Sequence, residues 1–324
     1  MRKMNLNYQV RRKNYEYNGN IMANNNESER EKLLEEVGHI SYSALMYAKN
    51  LVKPGASVKE VAIKAEKYLN DAGYLPAFPI NLSINNEAAH YTPSFDDARI
   101  FTENDIVKVD FGAYKDGISG DCAVTVDLSN NNGKLLDAAH YALEAALSKV
   151  RAGTISSAIG KEINDVLSKY GVKPIKNLGG HGLDVDNLHS GFFIPNYNDG
   201  SSDVLEEGMV ISIEPFATNG KGLVSDSDRC EIYSYINTVQ SRLSYSRALI
   251  KRIEEQFNNT PFAVRWLSSG NESHFGMYSG INELVKLGAI EAHPVLVEIG
   301  NGMVSQSEVT ILVEKNGCKI LTKN

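Results

Sequence analysis

The strongest constraint on how this chain folds is an internal repeat. LVKPGASVKEVAIKAEKYLNDAGY at 51–74 and KVRAGTISSAIGKEINDVLSKYGV at 149–172 align at an offset of 98, placing Gly55 on Gly153, Val61 on Ile159, Ala65 on Ile163, Leu69 on Leu167 and Gly73 on Gly171. Two amphipathic helices alone would be weak grounds for a duplication. The match continues into polar positions, however. IVKVDFG carries Asp110 where VISIEPF carries Glu214, and His90 lies 17 residues after Gly73 while His189 lies 18 after Gly171. Asp121 in GDCAVTV finds a counterpart in Glu308 of SEVTILV once the stretch between Glu214 and Glu308 is read as an insertion in the second half. Each half therefore brings a histidine and a pair of acidic residues.

Around the repeat the apolar period switches between helix and strand. Leu33, Leu34, Val37, Ile40, Leu45, Ala48 and Leu51 recur near 3.6 from Glu27 onward, and Pro54-Gly55 ends the run. A second helix opens at Ser57, with Glu60 at capping-box spacing, and closes at Gly73. Residues 106–128 read as a hairpin turning at Asp116-Gly117. Helices are predicted at about 134–150 and 156–170, strands near 195 and at 209–216, and strands again from 293 to 322. Between about 237 and 290 the pattern is helical, with Thr260-Pro261 expected as an N-cap and first-turn pair. Residues 1–26 hold eight Asn and almost no aliphatic pattern, so a disordered tail is expected there. Met22 followed by Ala23 offers an alternative start.

Composition excludes several functions. Lys plus Arg is 33 against 40 for Asp plus Glu, a formal charge of −7 that does not attract a polyanion, so direct nucleic-acid binding is not expected. Cys122, Cys230 and Cys318 are too few and too scattered for a disulfide framework, which points to a reducing, cytoplasmic setting. No run approaches the roughly 20 apolar residues of a membrane span.

The chemistry follows from the hairpin. With Asp116-Gly117 as a two-residue loop, Lys115 faces Ile118 and Asp110 faces Ala123, so Asp121 lies diagonally from Asp110 on the same sheet face. Nothing basic at 112, 121 or 123 neutralises them, and two like charges in a dry site share a proton or bind a cation. Glu214 and Glu308 sit in near-continuous apolar runs, where an unpaired acid is costly. Four converging carboxylates exceed the needs of one hard cation and suit a two-metal site that holds a hydroxide nucleophile and polarises a carbonyl. His181 in NLGGHGLD adds a nitrogen ligand, biasing the choice toward Mn, Fe, Co or Zn. Taken singly, each acid is more simply a turn or solvated residue and each histidine a core one; their convergence carries the reading. Cys122 reads as a buried inert thiol, and His39, His140, His274 and His293 as structural.

At this point the motifs are familiar. PAFPINLSINNEAAHYTP at 76–93, VKVDFG, GDCAVTVDL, GGHGLD, the His189-Ser-Gly segment ending in Ile-Pro-Asn, IEPFAT and VSQSEVTILVEK together resemble the type 2, archaeal-like methionine aminopeptidases over residues 27–324. The resemblance implies an α+β, duplicated pita-bread fold, a curved antiparallel sheet backed by helices. It also implies a helical insertion in the second half, at about 225–290, consistent with the 94 residues from Glu214 to Glu308 and with NNTPFAVRWL at 258–267. By resemblance, Asp110, Asp121, His181, Glu214 and Glu308 hold two divalent ions, Asp121 and Glu308 bridging them. Glu214 handles a proton of the attacking water, His90 bonds the scissile peptide nitrogen, and His189 contacts substrate and oxyanion. Phe78 and Pro79, with Tyr233, line the pocket for the methionine side chain, which admits only small second residues. The implied partners are nascent polypeptide N-termini, with a monomeric enzyme and a contact between the basic tail and the ribosome left open. Ser307 and Val309 depart from the aromatic and histidine common around the last glutamate; alternation turns both away from the Glu308 carboxylate, so a packing change is expected.

Two other readings compete. A prolidase or aminopeptidase P shares the fold but usually carries a separate N-terminal domain, whereas about 26 residues precede the first helix here. A metal-free binding module on the same fold would be expected to have lost ligands, and all five are in place.

Overall fold

The computed structural model describes residues 27–258, 260–268 and 273–323. The Asn-rich tail and the alternative start at Met22 lie outside them. Helix α1 (Glu27–Leu51) buries Leu34, Val37, Ala44, Leu45 and Ala48, the stripe its spacing demands. Helix α2 (Val58–Asp71) is capped as expected: the Glu60 N–H donates to Ser57 Oγ at 3.4 Å. Its repeat partner α4 (Ser156–Lys169) has Ile155 at the cap position and no side-chain cap bond, so burial of Ile159, Ile163 and Leu167 must hold it together. Helix α3 (Gly133–Leu147) pairs with α4 as α1 pairs with α2.

Each helix pair backs one sheet. In the first half, strand Ile106–Asp110 lies between Asn81–Ile84 and Ala123–Asp127. In the second, the order is Phe193–Pro195, Gly179–Leu183, Val210–Ile213, Val309–Glu314 and Gly317–Ile320. Asn81 and Gly179 are themselves 98 apart, so the repeat extends through the sheets. Alternation decides what each face carries. Leu82, Val107 and Val109 join the core under α1 and α2, while Ile211, Ile213, Ile311 and Val313 join the core under α3 and α4. The opposite faces are left with Asn81, Lys108 and Asp110 in one half and His181, Ser212 and Thr310 in the other. The halves meet where Ala123 and Glu308 exchange both backbone hydrogen bonds, at 3.3 and 3.1 Å.

The hairpin register is the one the Asp-Gly turn requires: Lys115 faces Ile118 and Asp110 faces Ala123. Asp116 (φ 49°) and Gly117 (φ 86°) both take positive φ, as a type I′ turn demands. Above the turn the strands pinch together. A Cβ on Gly112 would lie 1.8 Å from the Gly120 carbonyl oxygen, so only glycine permits this approach beside Asp110 and Asp121.

The stretch expected as a helical insertion, about 225–290, is not purely helical. Helices α5 (Ser244–Phe257) and α6 (His274–Lys286) pack on a sheet of Phe262–Ala263, Ile232–Tyr235 and Ile290–His293 around their own apolar cluster. Thr260-Pro261 starts no helix; Pro261 leads into the edge strand Phe262–Ala263, a place where a missing N–H is tolerated. A 3₁₀ turn, Val264–Leu267, follows with Ala263 at its cap position. Among the described residues no helix is long and apolar enough to cross a membrane.

Candidate metal centre and its histidines

The four carboxylates converge between the polar faces of the two sheets. Asp110 ends its strand, Asp121 precedes Ala123, Glu214 follows Val210–Ile213, and Glu308 precedes Val309–Glu314. The Asp110 and Asp121 carboxyls are close enough to perturb each other's ionisation. His181, on the strand beside Val210–Ile213, brings its Nε2 to 3.4 Å from Asp121 Oδ2. Ligand atoms of Asp121, His181 and Glu308 lie within 4.8 Å of one another.

The donor set fits a divalent cation. His181 Nδ1 sits 3.3 Å from the Gly182 carbonyl, an acceptor only, so the proton is on Nδ1 and the Nε2 lone pair faces the carboxylate oxygen. Two acceptors at that distance are reconciled by a cation between them. Asp110 Oδ1 and Asp121 Oδ1 are buried without a hydrogen-bond partner, which is costly unless a cation completes them. Burial pushes Asp121 up to about 7 and, with the neighbouring carboxylates, holds Asp110, Glu214 and Glu308 well above the usual carboxylate range. Burial lowers His181 to about 4, leaving the neutral imidazole that metals bind.

Gln306 is the residue sequence reasoning missed. Its Nε2 donates toward Asp110 Oδ2 (3.3 Å), Glu214 Oε2 (3.4 Å) and Glu308 Oε2 (3.1 Å). The available signal was its position two residues before Glu308 on a strand-like run, which puts both side chains on one face. Val309 takes the other face and packs with the core under α3 and α4, while the Ser307 N–H donates to the Pro215 carbonyl at 3.3 Å.

Beside the acids stand the histidines. The His189 ring lies against that of His181, centroids 4.3 Å apart and tilted by 51°. His90 Nδ1 lies 3.2 Å from the Pro294 carbonyl and so donates to it, leaving Nε2 as an acceptor. Burial lowers His90 to about 4, so it is neutral at pH 7; His189, an exposed residue, is lowered by desolvation of its ring and by the neighbouring His181 and His293. Near-equal spacing from the repeat glycines, 17 and 18 residues, does not make them equivalent. Leu82 pairs through Tyr91, whereas Gly180, its counterpart, pairs with Ile194, so the second half has a longer connection and His189 lies on it. His293, which reads as structural in the sequence, belongs here: its ring is 6.1 Å from that of His90, and its Nε2 is 2.8 Å from Ser234 Oγ.

Phe78 is buried and, among the described residues, joins none of the four apolar clusters. Pro79 follows it, its carbonyl held by Asn81 Nδ2 at 2.9 Å, and Ala77 is bonded to the Gly112 carbonyl, which sets this segment beside Asp110. Tyr233 is not brought to the cluster. Alternation along Ile232–Tyr235 turns it away from Ser234 and His293, and its ring packs 6.2 Å from Phe262 inside the insertion.

Metal and proton compete for these acids, which fixes the sign of a pH effect. A carboxyl whose folded-state pKa is raised contributes stability that is full below its unfolded value of about 4 and is lost as pH rises through its folded value, about 7 for Asp121. A bound cation reverses that loss. At one fixed Mn(II) concentration, the rise in melting temperature on adding metal to chelator-stripped protein is therefore expected to be larger at pH 8 than at pH 6, roughly 4–5 °C at pH 8 if that concentration is 100-fold over the Kd there. Comparing each pH with and without metal cancels Lys108, lowered by burial to about 7, and the histidines outside the ligand set, which act in the opposite direction. Equal gains at the two pH values would show that these acids do not bind the metal.

Comparison with known proteins agrees with this geometry. Residues 32–255 match the model of metallopeptidase family M24. The chain is 46% identical over 294 residues to the methionine aminopeptidase of Archaeoglobus fulgidus, covering 91% of this chain and 98% of that protein. It is 38% identical over 293 residues to the methionine aminopeptidase of Methanocaldococcus jannaschii, covering 90% and 98%. Among solved structures, it superposes on methionine aminopeptidase from Thermotoga maritima with a TM-score of 0.67, at 23% identity and 93% and 98% coverage. A prolidase from Pyrococcus horikoshii gives 0.58 at 20% identity, with 92% of this chain but 63% of that one covered. Both structural matches fall on one duplicated, helix-backed architecture.

Proposed function

The chain belongs to metallopeptidase family M24, and from that premise we propose that it is a metal-dependent methionine aminopeptidase, releasing the first residue of nascent polypeptides with a small second residue. The observation that carries the reading is the cluster of buried Asp121, His181 and Glu308 with half-buried Asp110 and Glu214, in a chain that matches full-length relatives of that activity. The prolidase-like and metal-free readings are disfavoured by those relatives and by the complete ligand set.

Two divalent ions, of Mn, Fe, Co or Zn, would suit the set, and Asp110, Asp121, His181, Glu214 and Glu308 would hold them. Ions held there supply Lewis-acid polarisation of the scissile carbonyl and lower the pKa of a bound water. The chain's own residues do the rest. Glu214, whose pKa burial and its acidic neighbours raise, is fit to take a proton from the attacking water and return it to the leaving amine. His90, with Nδ1 committed to Pro294, offers Nε2 to the N–H of the scissile peptide and so orients that bond. His189, neutral and next to His181, faces the side where negative charge builds on the carbonyl oxygen. Phe78 and Pro79 give the methionine thioether an apolar wall. The enzyme is expected to act as a monomer in the cytoplasm, and the basic residues at 2–13 suit a ribosome contact.

The test is release of free methionine from Met-Ala-Ser by chelator-stripped protein resupplied with Mn(II) or Co(II), beside Ala-Pro and Met-Pro. Metal-restored cleavage of Met-Ala-Ser is expected. Activity confined to the proline dipeptides would move the chain to the prolidase branch, and none with any metal would revive the binding module.

A further inference from the structure

NTPFAVRWL is a sequence feature that the proposed chemistry leaves unused. Its Arg265 lies in the 3₁₀ turn of the insertion, 8% exposed. The guanidinium reaches two parts of the first half at once. Nη1 donates to Thr92 Oγ1 at 2.8 Å and to the Pro93 carbonyl at 3.0 Å, and Nη2 donates to Glu66 of α2, a carboxylate with no exposure at all. Trp266 Nε1 donates to the other Glu66 oxygen at 3.0 Å. A buried charge pair is a poor source of net stability, so its contribution is better sought in what it fixes.

What it fixes adjoins His90. That residue has φ of 65°, a left-handed conformation that disfavours residues other than glycine and persists only where the surroundings hold it. Directly after His90 the Leu82 N–H donates to the Tyr91 carbonyl at 2.7 Å, and Pro294 takes the imidazole proton. The next two residues along the chain, Thr92 and Pro93, are held by Arg265. We propose that Arg265 is a positioning residue for His90: the insertion reaches across the molecule and, anchored on Glu66, clamps the strained segment that aims the His90 Nε2 at the substrate. Lysine could not do this, because one ammonium cannot span Thr92, Pro93 and Glu66 with a planar fork.

The inference rests on the proposed aminopeptidase reading, and the experiment separates the two. Wild type, Arg265→Lys, His90→Ala and the double variant are loaded with Mn(II), assayed for metal content, and compared on Met-Ala-Ser. Arg265→Lys keeps the charge opposite Glu66. It is expected to lower kcat about 10- to 100-fold, as a displaced catalytic group does, with metal content unchanged and KM within about twofold of wild type, since uniform binding is untouched. In the His90→Ala background the same substitution is expected to cost nothing further, because the group it aims is gone. A full additional loss in that background, or an unchanged kcat in the single variant, would overturn the proposal. Should Arg265→Lys not fold, Thr92→Val removes one acceptor of the clamp and is read by the same cycle. A wild-type chain that releases no methionine defeats the functional reading itself, independently of the cycle.

Discussion

Glu308→Gln is expected to strip the chain of its metal and to lower methionine release by about a thousandfold or more, the several kcal/mol a metal centre contributes. Glu308 is 3% exposed, and both of its oxygens are engaged: Oε1 by the Ser212 hydroxyl and Oε2 by Gln306 Nε2 at 3.1 Å. Glutamine matches its size but places an NH₂ where one of those donors already points, and it lacks the charge a divalent ion requires. The same substitution is expected to raise the melting temperature of the metal-stripped protein. Burial and the charges of Asp121, Glu214 and Asp110 hold the Glu308 pKa well above the usual range, so at pH 7.5 the apo fold stabilises an acid against its ordinary ionisation. Removing that acid relieves the cluster. Opposite signs in one variant, loss of function with gain of apo stability, are what a metal ligand gives; a residue that merely packs would lose both. Metal content by mass spectrometry after equilibration with Mn(II), a melting curve in chelator and an initial rate are sufficient. A variant retaining wild-type metal content and a rate within about tenfold of wild type would remove Glu308 from the centre.

Much of this arrangement is legible in the chain before it folds, and the reasons are local. The hairpin register follows from two residues, Asp116 and Gly117, because a type I′ turn admits one pairing, and Asp110 and Asp121 then share a face. Glu214 and Glu308 announce themselves as acids in apolar strands, and the repeat ties them to the first pair. What was not legible depends on contacts distant in sequence. Gln306 acts on acids from both halves, at separations of up to 196 residues, and its place two residues before Glu308 signals only the contact with that one acid. His293 is brought to His90 by the pairing of Ile290–His293 with Ile232–Tyr235, a sheet hidden inside a helical pattern. That hidden sheet also explains Tyr233, which alternation sends into the insertion's core, and Pro261, which opens an edge strand. Counting from the repeat glycines set His90 and His189 level, yet the ladders show a longer second connection. Count is preserved through strands and lost through loops, so equivalence inferred across a loop carries less weight than equivalence inferred along a strand.

His90→Ala separates chemistry from metal binding. Loss of one positioned hydrogen-bonding group at the reacting peptide is expected to lower kcat about 10²- to 10⁴-fold, with wild-type metal content retained. Retention follows from geometry: the groups that meet within 4.8 Å are those of Asp121, His181 and Glu308, and His90 spends its Nδ1 proton on Pro294 instead. Alanine also inherits a φ of 65° that it tolerates poorly, so some loss of stability is expected and must be told apart from loss of chemistry. His90→Asn makes that distinction, because asparagine accepts the left-handed conformation more readily and yet cannot place a ring nitrogen where Nε2 stands. If geometry of the backbone were the whole contribution of His90, asparagine would restore most of the rate. If the imidazole acts on the peptide nitrogen, asparagine restores the melting temperature while kcat stays low. Loss of metal from either variant would instead make His90 a ligand or a support of one, and would require the role of the insertion that holds it to be assigned to the metal centre rather than to the substrate.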